Sequence, residues 1–309
     1  MERESATLPP LRLLNGLGQA ALYGLAGPNG VATSGFGPGS APYFWASEFP
    51  AAALGGLAAA LKPPVLCVAG SGDNAIELLR LGLAPLLAVD VSRPACYVNE
   101  LKAAALASGI GLKEYSTLFP APPRPLPRRL SSWLSPEAEA FWLGVADAGD
   151  LECASLLDRE PEPGLLAYLS TEASFAQTSS AVGRWPLLNL SLECFLELTP
   201  DLFGLIYVSN VCEYIARGLL LADRGDEIRA RLSDFYRLAA SRLAAGGAVL
   251  AYVFEPAGRV FSTGPEVAAM AAAGLDVRPI PVEFTRRGGS FRHCLLVGQA
   301  SRGKCLDND

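Results

Sequence analysis

The stretch Val65-Leu66-Cys67-Val68-Ala69-Gly70-Ser71-Gly72-Asp73-Asn74-Ala75-Ile76 decides the fold. A short apolar run empties into a turn of small residues, and a helix-forming segment begins at once. A second apolar run, Leu86-Leu87-Ala88-Val89, stops on Asp90, about twenty positions beyond the glycines. At that separation an acidic group at a strand end reaches the ribose hydroxyls of a nucleotide on a doubly wound sheet. Glycines let the backbone approach a ligand closely, and a carboxylate accepts hydrogen bonds from a free diol. The expectation is an adenosine-containing cofactor held by Gly70, Ser71, Gly72, Asp73, Asn74 and Asp90. The competing reading is a βα turn whose glycines serve tight packing alone.

The turn departs from G-x-G-x-x-G, because Ala75 stands three positions after Gly72. Asp73 and Asn74 place polarity where a diphosphate would lie. A carboxylate repels a diphosphate but suits an ammonium or a sulfonium, which favours S-adenosylmethionine over NAD. Asp73 or Asn74 is then expected to hold the ammonium or carboxylate of the cofactor's amino-acid arm.

Outward from this turn the chain alternates. Residues 51–61 read as a helix leading into the first strand at Val65, and 74–81 as the first crossover helix, stopped at Gly82. Ser92 is placed to cap a helix that carries Pro94 in its first turn and runs to Ser108-Gly109. From about 113 to 185 the alternation pauses in a proline-rich and then helical insertion, expected to cover a sheet edge or the substrate. Leu187–Leu190, Leu205–Val208 and Ala248–Val253 read as the third to fifth strands, with Gly246-Gly247 leading into the last. Ile228, Leu232, Phe235 and Leu238 recur with helical period. Residues 277–284 and 294–297, joined by Arg286-Arg287-Gly288-Gly289, read as a closing pair. This inventory predicts an α/β fold: a class I methyltransferase-like, Rossmann-type parallel sheet with right-handed crossovers, a helical insertion and an N-terminal cap. The cap is placed at 1–50 and the cofactor-binding domain at 51–309, with frayed residues from Ser301.

Composition narrows the function classes. Half of the 309 residues are hydrophobic and 18% are charged, which fits a packed domain rather than a disordered chain. A net charge of -6 argues against nucleic acid as the main partner, since duplex binding leans on clustered Lys and Arg. Seven scattered cysteines with no C-x-x-C pair suggest buried thiols in a reducing cytoplasm, not zinc or an iron–sulfur cluster. The single histidine, His293, excludes a histidine-rich metal site and reads as a strand-end residue. The N-terminus lacks the pattern of a secretory signal, and the Ala/Leu run at 51–61 is too short to cross a bilayer. A cytoplasmic location is expected, with peripheral membrane contact left open. Arg124, Arg128 and Arg129 read as a solvated loop rather than a headgroup site, and Tyr43 and Trp45 as core rather than a cation–π cover.

Three segments carry a resemblance. The turn Gly70-Ser71-Gly72-Asp73-Asn74-Ala75 resembles the glycine-turn signature of the betaine-lipid synthase family. Asp90-Val91-Ser92-Arg93-Pro94 followed by Glu100-Leu101-Lys102-Ala103-Ala104-Ala105 resembles a second segment of that family, and Val208-Ser209-Asn210-Val211-Cys212-Glu213-Tyr214 a third. Order and approximate spacing match from about residue 44 to 297. Ser92-Arg93 stands where the family has Asn, and Phe44-Trp45-Ala46-Ser47-Glu48 is a loose counterpart of its Trp-Glu-Asp segment. The resemblance implies transfer of the 3-amino-3-carboxypropyl group from S-adenosylmethionine to an acceptor, a lipid hydroxyl or a small molecule, with release of methylthioadenosine. Ordinary methyl transfer and a non-catalytic cofactor-binding subunit are the alternatives.

Sulfonium activation makes three carbons electrophilic, and the protein selects one by holding it in line with the acceptor. Ser209 and Asn210, at a strand's carboxyl end, are expected beside the cofactor, and Ser191 beside the adenine. Glu213 or Tyr214 is expected to orient or deprotonate the acceptor. The alternative for that pair is the first turn of a helix, where Glu213 suits the dipole.

Overall fold

The computed structural model describes residues 44–45, 48, 53–118, 126–148, 166–254, 264–286 and 289–300. Seven strands form one sheet: β1 (Val65–Val68), β2 (Leu86–Asp90), β3 (Leu187–Asn189), β4 (Phe203–Ser209), β5 (Leu243–Val253), β6 (Leu275–Arg286) and β7 (Gly289–Ala300). Their order is β3-β2-β1-β4-β5-β7-β6. The first five run parallel, while β7 lies antiparallel between β5 and β6. This is the class I methyltransferase-like, Rossmann-type sheet with its closing antiparallel pair.

The described helices are α1 (Asp73–Arg80), α2 (Arg93–Ala107), α3 (Leu112–Thr117), α4 (Arg128–Ser131), α5 (Pro136–Ala148), α6 (Glu172–Ala181), α7 (Leu192–Leu198), α8 (Val211–Leu221), α9 (Ile228–Ser241) and α10 (Gly264–Ala272). Strand alternation sorts the core into two layers. Val65, Cys67, Leu205 and Tyr207 pack with α1, α2 and the insertion, whereas Leu66, Ile206 and Val208 pack with α7, α9 and α10. Ser92 caps α2 as expected, its hydroxyl accepting from Ala95 N at 3.2 Å. The described parts of the insertion are mainly helical and pack against α1 and α2. Tyr115, Leu130, Trp142, Tyr168 and Phe175 bury their side chains there.

Several boundaries differ from the sequence reading. The helix expected before β1 breaks after Leu54, at Gly55-Gly56, where missing side chains weaken the helix, and it resumes only as a short 3-10 turn over Ala58–Ala60. Gly246-Gly247 lie inside β5 rather than ahead of it, at a register shift against β4. A Cβ at Gly247 would meet Phe203 O at 2.9 Å, so glycine permits that close crossing. His293 sits within β7 opposite Val282, buried, with its Nδ1 2.9 Å from the Tyr252 hydroxyl. The segments before residue 44 and after residue 300, Tyr43 and Arg124 lie outside the described residues. No helix among the described residues is long and apolar enough to cross a membrane.

Candidate functional site

The strand order reverses between β1 and β4, and open α/β sheets bind ligands at that crevice, beyond the carboxyl ends of the strands. The glycine turn occupies it. Gly70 and Gly72 take φ of +51° and +88°, values that exclude most side chains. A Cβ at Gly72 would lie 3.0 Å from Asn99 Oδ1, whereas one at Gly70 would meet open space. Asn99, on α2, fixes the turn by donating its Nδ2 to Gly70 O and to Ala95 O, each at 2.9 Å.

Asp90 ends β2 beside this turn and is buried. Its Oδ2 accepts from Gly70 N at 2.9 Å and its Oδ1 from Ser92 N at 2.8 Å. Those bonds use half of the acceptor capacity of a carboxylate and leave the rest for a diol. Burial pushes its pKa from the ordinary 3.8 up to about 6, against the pull of the two backbone donors. Asn189, at the end of β3, donates its Nδ2 to Asp90 O at 2.9 Å and Val91 O at 3.1 Å, and so steadies the loop after β2.

Asp73 and Asn74 open α1 but serve different partners. Asp73 is fully buried, its Oδ1 accepting from Lys102 Nζ at 2.6 Å and from the Tyr168 hydroxyl at 2.6 Å. Its Oδ2 accepts from Ser71 Oγ at 2.8 Å. Tyr168 has spent its one hydrogen on Asp73, so the Tyr115 hydroxyl, 3.1 Å away, donates to Tyr168. Lys102, itself without exposure, stands 4.5 Å over the Trp45 ring. Burial lowers the Lys102 pKa and Asp73 raises it. Where the sequence reading leaves the cofactor's arm to Asp73 or Asn74, the geometry gives Asp73 an internal counter-ion and a hydroxyl chain.

Asn74 instead faces Glu48, donating from Nδ2 to Oε2 at 3.0 Å. The same Glu48 oxygen accepts from the Tyr207 hydroxyl, and Oε1 accepts from the Ser209 hydroxyl. Tyr207 and Ser209 are two apart on β4, so their side chains share a face and converge on one carboxylate. Burial raises the Glu48 pKa while these three donors lower it. Ser209 has φ +55°, a sparsely populated conformation for a residue with a Cβ.

Asn210 occupies the position just before α8 without a side-chain capping bond, and its Oδ1 lies 3.2 Å from Ser209 Oγ. Glu213 and Tyr214 follow in the first helical turn, both half-buried. Burial raises the Glu213 pKa, and Arg217 and Asn210 lower it. Glu266, on the first turn of α10, is close enough for the Glu213 charge to raise its pKa further. Ser191 lies past β3, where its hydroxyl accepts from Cys194 N at 3.1 Å as the cap of α7.

The sequence reading omits Glu48, Tyr207, Lys102, Tyr168 and Glu266. For Lys102 a signal was available, a lone lysine on the alanine-rich turn Leu101–Ala105. For Glu48 the only signal was the loose likeness at 44–48. Trp45 is core, as expected, and Arg129 pairs with Glu114 at the surface. Cys67, Cys96 and Cys212 are buried free thiols, and Cys294 is buried in β7. Among the described residues no cluster of His, Cys, Asp and Glu is arranged to hold a metal.

No family model matches this chain, and no curated protein matches it. Among solved structures it is similar to the ribosomal protein L11 methylase from Lactobacillus delbrueckii subsp. bulgaricus, with TM-score 0.41 and 15% identity over 84% of this chain and 82% of that one. It is also similar to the rRNA methyltransferase aviRa from Streptomyces viridochromogenes, with TM-score 0.39 and 14% identity over 89% and 94% of the two chains. The precorrin-6y C5,15-methyltransferase from Geobacter metallireducens GS-15 gives 0.34 and 11%, over 80% and 86%. At these scores the likenesses say nothing about what this chain acts on.

Proposed function

We propose that the protein binds S-adenosylmethionine at the carboxyl ends of β1, β2 and β4 and is a transferase that uses it as co-substrate. The observation that carries this reading is Asp90: a buried carboxylate oriented by two backbone N–H groups beside a glycine turn at the sheet's switch point. Asn74 Oδ1, buried without a donor among the described residues, fits a cationic amino-acid arm, and the open space at Gly70 fits close approach of a ligand. The cofactor supplies an electrophilic carbon activated by a sulfonium. The chain's own residues do the rest. Asp90 receives the ribose hydroxyls, the crevice excludes water, and Glu213 and Tyr214 orient the acceptor or take its proton. Ser191 flanks the adenine side, while Ser209 and Asn210 border the methionine side. Ser71 and Asp73 act from beneath, through the Lys102 network that fixes the turn.

Methyl transfer is the first reading of the transferred group, on fold-level analogy with methyltransferase sheets. Transfer of the aminocarboxypropyl group is the second, favoured by the three ordered segments that resemble betaine-lipid synthases. The acceptor is a small molecule or a lipid; the net charge of -6 disfavours nucleic acid. Mass spectrometry of the purified full-length protein with S-adenosylmethionine and cell extract decides between them. S-adenosylhomocysteine is the expected nucleoside product. Methylthioadenosine, with an aminocarboxypropyl mass added to the acceptor, would establish the second reading. Calorimetry that shows binding of NAD in preference to S-adenosylmethionine would remove both.

A further inference from the structure

We infer that Glu48, which reaches the crevice from the segment ahead of β1, receives the ammonium of the cofactor's amino-acid arm together with Asn74 Oδ1. The inference rests on the S-adenosylmethionine reading above. Both residues are nearly sealed from solvent, Glu48 at 5% exposure and Asn74 at 6%. The two oxygens of a carboxylate offer about four acceptor positions. Tyr207 and Asn74 fill those of Oε2, and Ser209 fills one on Oε1, which leaves one open. Asn74 has given its Nδ2 to Glu48, so its Oδ1 is buried with no donor among the described residues. Among the described residues the corner therefore holds spare acceptors on Glu48 Oε1 and Asn74 Oδ1.

Charge leads to the same ligand. Asp73 has a counter-ion within 2.6 Å, but among the described residues no positive charge is one of the groups that perturb Glu48. A buried carboxylate without a cation is costly, and the cost is relieved when a cation arrives. A hydroxyl brings one hydrogen and no charge, and a carboxylate would be repelled. An ammonium brings three donors and a positive charge, which suits both the open position on Oε1 and the orphaned Oδ1. The cluster also ties Glu48 itself to β4.

The test uses two nucleosides that differ only in the arm. Calorimetry on the full-length protein compares S-adenosylhomocysteine, which carries the ammonium, with 5′-methylthioadenosine, which lacks it. Glu48→Gln is expected to weaken S-adenosylhomocysteine about 10- to 100-fold, the range for losing a hydrogen bond to a charged group. Methylthioadenosine should bind the variant as it binds the parent. Without ligand, Glu48→Gln should melt no lower than the parent, because it keeps the shape and removes an uncompensated charge. Asn74→Ala should show the same selectivity between the two nucleosides to a smaller extent, which supplies a second variant should the first fold poorly. Equal weakening of both ligands with a lower melting temperature would make the cluster a purely structural tether and overturn the inference. So would an unchanged affinity for S-adenosylhomocysteine. A parent protein that binds neither nucleoside would refute the cofactor reading itself, and this inference with it.

Discussion

Asp90 titrates where binding is easily measured. Burial has raised its pKa to about 6 in the free protein, and two donating ribose hydroxyls would favour its charged form. Cofactor binding then competes with protonation. Between pH 7 and pH 5 a group titrating near 6 passes from about nine-tenths ionised to about one-tenth, so affinity should fall about tenfold. The probe is 5′-methylthioadenosine, whose ribose is its main polar handle, titrated calorimetrically at pH 7, 6 and 5. Cys67 and Cys96, the thiols that feel the Asp90 charge, are pushed up by burial and stay neutral across this window. Asp90→Asn should bind about 1–3 kcal/mol more weakly at pH 7, the scale of one charged or unsatisfied hydrogen bond. Its profile should be nearly flat. Stability shifts in the opposite direction. Because the folded pKa lies above the ordinary 3.8, the Asp90 contribution is fully present below that value and is lost as pH rises through about 6. The change is on the order of 3 kcal/mol and should vanish in Asp90→Asn. Parent and variant sharing one affinity and one pH profile would refute the placement of Asp90 against the ribose.

Two further outcomes are expected. Lys102→Met strands Asp73 as a buried charge without its cation, so denaturant unfolding should show a loss of about 3–5 kcal/mol; a loss well under 1 kcal/mol would mean that the pair is not dry. Tyr214→Phe, assayed with the acceptor found by product analysis, should lower kcat by about 10²- to 10⁴-fold with unchanged cofactor affinity, and an unaltered kcat would return Tyr214 to helix packing.

Much of the fold is written locally. The glycine turn, the strand ending on Asp90 and the Ser92 cap each depend on residues within a few positions of one another, where turn geometry and apolar period act directly. Parallel strands joined by helices then have few right-handed arrangements, which narrows the possible sheet orders without choosing among them. The boundaries that differ are those set by a neighbouring strand. Gly246-Gly247 reads in sequence as leading into the fifth strand, yet it lies within β5, at a register shift against β4 and the close approach of Phe203 O.

The sequence by itself determined the crevice: which turn faces it, which carboxylate borders it and which strand ends beside it. Only the tertiary structure decided which charges meet there. Asp73 and Asn74 are chain neighbours of similar shape, and nothing local tells them apart. Folding brings Lys102 to Asp73 across 29 positions and Glu48 to Tyr207 and Ser209 across 159 and 161. Local propensity carries no information over such separations, because the pairing is fixed by how helices and a strand pack and not by residue spacing. One carboxylate, Asp73, therefore acquires its own counter-ion, and the other, Glu48, meets an amide and two hydroxyls among the described residues.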